Sequence, residues 1–257
     1  MKNARSTSAI AGIILGLTMF MGPSSANPQP PTPLAELTAL WWQWVYSIPQ
    51  PIDENGNPVA PFNPFFDTSG AYCMVGQRGS VWFLAGTDGL SSGQVTRSCS
   101  IPEGVSLFFP VINFVNVNTP GCPPGTPNMT VQQLEAQANF QQTIDGVNSN
   151  PLSAMVDGVE VKKTLVSLVQ TEPFELALPT QNVFNAIYGL NICVNNTPVA
   201  PGIYSPAVAE GYYVWLPPLP LGKHTIVFYA SETSSTFFGP ASQNVVYVIT
   251  VVPVSLK

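Results

Sequence analysis

Val81-Trp-Phe-Leu-Ala85 and Leu107-Phe-Phe-Pro-Val-Ile-Asn-Phe-Val115 are the stretches on which the fold turns. Each is dense in β-branched and aromatic residues and bounded by Gly, Ser, Asp or Pro, the punctuation of strands. Val81–Ala85 is apolar at every position, which predicts burial on both faces, between a sheet and a helix. Pro110 has no N–H to give to a ladder, so it predicts a bulge or a sheet edge. Asn113, inside an apolar run, needs partners for its amide.

The same signals recur on either side. Ala71–Gln77 and Val95–Ile101 read as strands, and Val105–Val117 is the full extent of the second stretch. Asp157-Gly158, inside Ala154–Val161, is a two-residue hairpin turn that positive backbone angles favour. Tyr212–Leu216 and Thr225–Tyr229 read as a second hairpin across a Pro-Pro-Leu-Pro-Leu-Gly linker, and Asn244–Val252 as the last strand. Two helices interrupt this pattern. Thr32 can cap and Pro33 open the first, in which Leu34, Leu37, Leu40, Trp41, Trp44, Val45 and Ile48 recur at helical spacing before Pro49 stops it. Thr130-Val-Gln-Gln133 is a capping box opening a short second helix to about Ile144. The expected architecture is mainly β: a β-sandwich over residues 71–257, jelly-roll or immunoglobulin-like. Residues 27–70 form a Pro-rich lead-in, an amphipathic helix and a loop ahead of it.

The N-terminus predicts export. Lys2 and Arg5 precede an apolar run of 13 residues, Ala9 to Met21, and Ser24-Ser25-Ala26 is a small-residue cleavage site. That order is a secretory signal peptide over residues 1–26, and the run is shorter than the roughly 20 helical residues that cross a bilayer. The expected location is periplasm, cell surface or medium, with no membrane span after cleavage. In an oxidising space Cys73, Cys99, Cys122 and Cys193 read as two disulfides with three pairings open. The 26-residue spacing of Cys73 and Cys99, each in a strand-like run, favours that pair and leaves Cys122 with Cys193.

Composition narrows the partners. The mature chain keeps six basic residues against 14 acidic ones, a net charge of about −8. With Lys162-Lys163 the only adjacent basic pair, nucleic acid is excluded as a partner class. Charged residues are 9% of the chain, against about 25% in ordinary soluble domains. Solubility therefore falls to Asn, Gln, Ser and Thr. Such a surface suits neutral polysaccharide or self-association.

Trp41-Trp-Gln-Trp44, Cys73-Met-Val-Gly-Gln77, Val81-Trp-Phe-Leu-Ala-Gly86, Arg97-Ser-Cys-Ser-Ile-Pro102, Leu107-Phe-Phe-Pro-Val-Ile-Asn113, Gly202-Ile-Tyr-Ser-Pro206 and Pro220-Leu-Gly-Lys-His-Thr225 together resemble a family of exported bacterial proteins with no assigned activity. The resemblance covers nearly all of the mature chain. It implies a bacterial, secreted, β-rich protein and brings no functional residues with it.

Chemistry must then be read from the residues. His224 is the only histidine, so a multi-histidine metal centre cannot form, and without a G-x-S-x-G elbow a Ser-His-Asp triad has no nucleophile motif. In strand phase with Ile226 and Phe228, it reads as a satisfied core or turn histidine. Asp53, Asn55 and Asn57 alternate as in a calcium loop, but Pro58 stands where that loop needs glycine, so a turn is expected; no metal or cofactor is implied. The candidate ligand-binding residues are Trp42, Tyr46, Asp67, Trp82, Asp88, Arg97, Glu103 and Asn113. Trp42 and Tyr46 would form an exposed aromatic platform on the first helix. Trp82, with Trp215, would stack on sugar rings if exposed. Asp67, Asp88 and Glu103 flank the apolar strands, where two acids could meet across a cleft. Arg97, with Arg78, would pair with Asp67 or Asp88 or clamp an acidic ligand. No catalytic set is complete. The expectation is a non-catalytic extracellular or cell-surface binding or structural module, with neutral glycan the leading ligand. A carboxylate-dependent hydrolase or lyase and a fibre- or matrix-forming protein stand as alternatives.

Overall fold

The computed structural model describes residues 30–59, 62–87, 93–139, 152–161, 166–232 and 241–254. The signal-peptide stretch, Asp88 and the far end of the second helix lie outside them. Helix α1 (Leu34–Ser47) opens the described chain. Strands β1 (Val81–Phe83), β2 (Val95–Pro102) and β3 (Ser106–Val117) precede helix α2 (Val131–Asn139). Then come β4 (Ser153–Val156), β5 (Val159–Glu160), β6 (Val166–Gln170), β7 (Phe174–Leu178) and helix α3 (Val183–Tyr188). Three long strands close it: β8 (Gly202–Leu216), β9 (Gly222–Glu232) and β10 (Ala241–Val252).

These strands form two five-stranded sheets. The first runs β1-β3-β8-β6, with β7 taking over beside β8 where β6 ends; the second runs β2-β10-β9-β4-β5. All pairings are antiparallel except β1 with β3 and β2 with β10. Period-2 alternation gives the first sheet an apolar residue on both faces. Tyr213 and Trp215 of β8 join α1, whose Trp41, Trp44 and Val45 are buried with Phe65. Val214 and Leu216 face the second sheet, meeting Ile226, Phe228, Tyr247 and Ile249 in another core. The rings of Phe109 and Phe228 stack across it at 5.1 Å. Val81–Ala85 contributes to both cores, Phe83 to one and Trp82 and Leu84 to the other. A small third cluster joins Leu134 and Ala138 of α2 to Val208 of β8.

Several local readings are realised. The β3–β8 register shifts between Pro110 and Ile112, so the bulge lets Val111 and Ile112, consecutive in sequence, both join the inter-sheet core. Asp157 and Gly158 turn the β4–β5 hairpin with φ of 52° and 78°. The capping box at α2 is formed: Gln133 N donates to Thr130 Oγ1 and Thr130 N to Gln133 Oε1. Cys73 pairs with Cys99 and Cys122 with Cys193, at Cα separations of 6.0 and 4.1 Å. Closing loops of these lengths stabilises by about 3–4 kcal/mol each in the chain-entropy model. Asp53 Oδ1 accepts from the N–H groups of Asn55 and Asn57, an Asx turn.

Other readings are corrected. Ala71–Gln77 is a run of turns, because the Asp67 carboxylate gathers the N–H groups of Ser69, Gly70 and Tyr72 and bends the chain. Tyr212–Leu216 and Thr225–Tyr229 are not a hairpin: they lie in different sheets, and the proline linker between them has too few N–H groups for a ladder. Strands β6 and β7 and helix α3 add to the expected elements. Pro33, without a side-chain bond, occupies the cap position of α1 in place of Thr32. Leu40 is 40% exposed although it keeps helical phase with the core residues.

Two sheet margins are closed by side chains and loops. Gln77 acts as a substitute strand for β1, its Oε1 accepting from Phe83 N at 2.9 Å and its Nε2 donating to Phe83 O at 2.7 Å. Beside β2, Ser98 N donates to Ser69 O. Gly70, at φ +85°, lies so close that a Cβ would overlap the Ser98 carbonyl.

Candidate functional site

The seven ligand-binding candidates that the structure describes line no common cleft. Trp42 and Tyr46 form no exposed platform; both are buried, because α1 presses its flank on sheet and loop as well as its predicted face. Trp42 Nε1 donates to the Tyr213 hydroxyl at 3.0 Å, which also accepts from Asn113 Nδ2 at 3.1 Å. Asn113 thus finds its partner inside the protein. Trp82 and Trp215 are buried too and face different cores. Glu103, exposed, accepts from Val254 N. Burial works to raise the Asp67 titration, but the bonds from Ser69, Tyr72 and Gly70 outweigh it and hold the carboxyl below its ordinary range.

Arg97 corrects both of its readings, since it pairs with no carboxylate among the described residues and reaches no cleft. It is 1% exposed. Its Nε donates to Asp67 O at 2.6 Å, and its Nη1 to Ala85 O, Gly86 O and the Tyr247 hydroxyl at 2.6, 2.9 and 2.9 Å. A buried cation stabilised by carbonyl oxygens fastens two loop segments to the second sheet.

His224 is also fully engaged. Its Nδ1 lies 2.8 Å from Asp157 Oδ2 and its Nε2 2.9 Å from Pro220 O. Both ring nitrogens face acceptors, so the geometry suits the doubly protonated imidazolium. The bond to Asp157 raises the His224 titration, with partial burial opposing it, and the same bond lowers that of Asp157. Histidine and carboxylate tie the β4–β5 turn to the start of β9.

An unpredicted groove of about 680 Å³ lies between α2, α3 and the end of β3. The loop from Thr119 to Pro127 forms one rim, pinned by the Cys122–Cys193 disulfide and by Asn118, which bonds to Asn128 and Met129 N. Phe184 and Tyr188 of α3 form the opposite side, their ring centroids 5.8 Å apart. Asn182 caps α3, and Asn185 donates to Val199 O and accepts from Val199 N. These amides fix the aromatic pair against the rim. Gln133 and Gln137 line the α2 side, and Asn116 the β3 side. No Asp, Glu, Lys, Arg or His is among the lining residues. A second recess shares Pro123, Pro124, Tyr188 and Ile192 and carries the depression on to Glu54, Asn55 and Asn191.

The groove itself offers flat rings for stacking and uncharged amides for hydrogen bonding, and the one acid nearby, Glu54, lines the adjoining recess. The parts of the groove come from two stretches of the chain, 114–137 and 184–199. The local signals were the rigid Cys122-Pro-Pro-Gly loop and the Asn182 cap ahead of Val183-Phe-Asn-Ala-Ile-Tyr188. No cluster of three or more His, Cys, Asp or Glu suited to a metal ion occurs among the described residues. No helix among them is long and apolar enough to cross a membrane. Comparison with protein-family models, curated proteins and solved structures yields no match to this chain.

Proposed function

We propose that this chain is an exported bacterial β-sandwich, jelly-roll or immunoglobulin-like, that works as a non-catalytic binding module outside the cytoplasm, with neutral polysaccharide as its ligand. The single observation that carries the reading is the groove lined by Phe184, Tyr188 and side-chain amides without one charged group. Sugar rings present apolar faces and neutral hydroxyls, which stacking rings and amides can match without charge. The two disulfides and the signal-like N-terminus support export. Of the acids singled out for the hydrolase alternative, Asp67 is committed to backbone N–H groups and Glu103 accepts from Val254 N, which weighs against that pair.

The test is retention of purified mature protein on insoluble neutral polysaccharides, with titration calorimetry against their soluble oligomers. Binding that falls at least tenfold in Tyr188→Ala, with unfolding unchanged, is expected. Absence of any retention by a folded wild-type protein overturns the proposal.

A further inference from the structure

The wall of the groove supplied by α2 rests on a carboxyl group that the binding reading does not use. Glu210 of β8 is 2% exposed. Its Oε2 accepts from Gln170 Nε2 at 2.9 Å, while Oε1 has no hydrogen-bond partner. The same Gln170 nitrogen lies 3.4 Å from the Glu135 carbonyl of α2. One amide therefore joins the buried carboxyl to the helix above it.

Among the described residues the buried footing of that helix is small. Val208, two residues before Glu210 and on the same face of β8, packs with Leu134 and Ala138 in a cluster of three buried residues. Asn116 Nδ2 donates to Leu134 O at 3.1 Å. An element attached by so few buried contacts is the one that opens at least cost. The lining residues Gln133, Ala136 and Gln137 belong to it.

Among the described residues nothing compensates an ionised Glu210. In the sheet its neighbours are Phe114 on β3 and Gln170 on β6. The other titratable groups on the covering helix and on that face of β8 are Glu135 and Tyr212. None of α2, β3, β6 and β8 contains a lysine, arginine or histidine. Burial drives the Glu210 carboxyl toward its neutral form, only partly opposed by the bond from Gln170. A buried carboxylate with one hydrogen bond and no cation is costly, and water admitted beneath α2 relieves it.

We infer that Glu210 is a proton-operated latch: protonated, it lets α2 lie on the sheet and complete the groove, and ionised, it draws water under the helix and frees that wall. As regulation of the groove, this rests on the binding reading above; as a movement of α2, it does not.

Hydrogen exchange of the amides in residues 131–139 tests it without any ligand. In the wild-type protein their protection factors should fall between about pH 4 and about pH 8, roughly tenfold for each unit by which folded Glu210 titrates above free glutamate. Glu210→Gln should hold α2 protection level across the same range. A wild-type profile that is flat with pH, or a variant that declines as steeply as wild type, overturns the latch. Should the variant fail to fold, the Glu210 side-chain carbon signal in wild type decides. It must titrate with the same midpoint as the α2 amide shifts, and titration at the free-glutamate value overturns the latch. Polysaccharide retention fails or succeeds separately: loss of retention with a pH-responsive α2 removes the binding reading alone, and retention with a pH-flat α2 removes the latch alone.

Discussion

Arg97 Nη1 lies 2.9 Å from the hydroxyl of Tyr247, and its guanidinium carbon sits 5.5 Å from the centroid of that ring. The hydroxyl in turn donates to Ala85 O at 2.9 Å. The pair is the join between the loops before β2 and the inner face of the second sheet. Replacing Arg97 by Met takes the guanidinium from the carbonyls of Asp67 and Gly86 inside the protein and leaves that of Ala85 with the Tyr247 hydroxyl alone. The expected loss is about 3–5 kcal/mol in urea unfolding. Arg97→Lys should recover little, because one ammonium cannot reach acceptors spread along the guanidinium fork. A variant within about 1 kcal/mol of wild type would show that water replaces the arginine.

The His224–Asp157 bond makes stability depend on pH at both ends. Its histidine titrates higher when folded, so that contribution is complete below the unfolded histidine value and disappears as pH rises through the folded one. Its aspartate titrates lower when folded, so that contribution is complete above the unfolded aspartate value and disappears as pH falls through the folded one. The Asp157 side chain is 49% exposed, which limits the pair to about 0.5–1 kcal/mol. Asp157→Asn should therefore cost this much near about pH 5.5 and almost nothing above about pH 9, measured by thermal unfolding across pH.

Gly211 stands in the middle of the first sheet, opposite Asn113 on one side and Val169 on the other. A Cβ there would come 2.6 Å from Asn113 Cα and from the Ile112 carbonyl oxygen. These are backbone atoms of an interior strand and cannot swing away. Gly211→Ala should destabilise by about 3 kcal/mol or more. At Gly104, where an added Cβ meets nothing, only the positive φ opposes alanine, and the cost should be about 1 kcal/mol. Chemical denaturation of the two variants compares steric and conformational cost directly.

Cys122→Ser/Cys193→Ser should release the rim of the groove. The expected result is a loss of about 2–4 kcal/mol in unfolding free energy, with faster hydrogen exchange in residues 119–127 than in the inter-sheet core. Equal acceleration everywhere would mean that the bond serves the fold as a whole.

Much of the fold could be read before the coordinates. Helical spacing located α1, the Asp157-Gly158 pair located a hairpin, and Pro110 located a bulge, because each depends on residues adjacent in sequence. Ala71–Gln77 misled because its Tyr, Val and Met look like a strand, whereas its shape is set by Asp67 just upstream. Trp42 and Tyr46 lie off the apolar face of α1 yet are buried, since Phe65 and Phe184 arrive from distant segments to cover them. The low charge had a second meaning as well. Gln50, Asn63 and Asn182 are fully buried and bond to loop backbone, so part of the amide content that suggests a polar surface is interior scaffolding. The groove is not legible in the sequence because it forms only where two separate stretches, 114–137 and 184–199, meet, and its lining contains none of the acids, bases or histidines that mark chemistry.

Gln77 has a meaning for crowded surroundings. By occupying the open hydrogen-bonding groups of Phe83 it denies that rung to a neighbouring polypeptide. Copies packed together would have to dislodge that amide before they could pair through Phe83 of β1, so one side chain guards that position against annealing. Exchanging Gln77 for leucine would remove the guard, and turbidity of concentrated samples would report it.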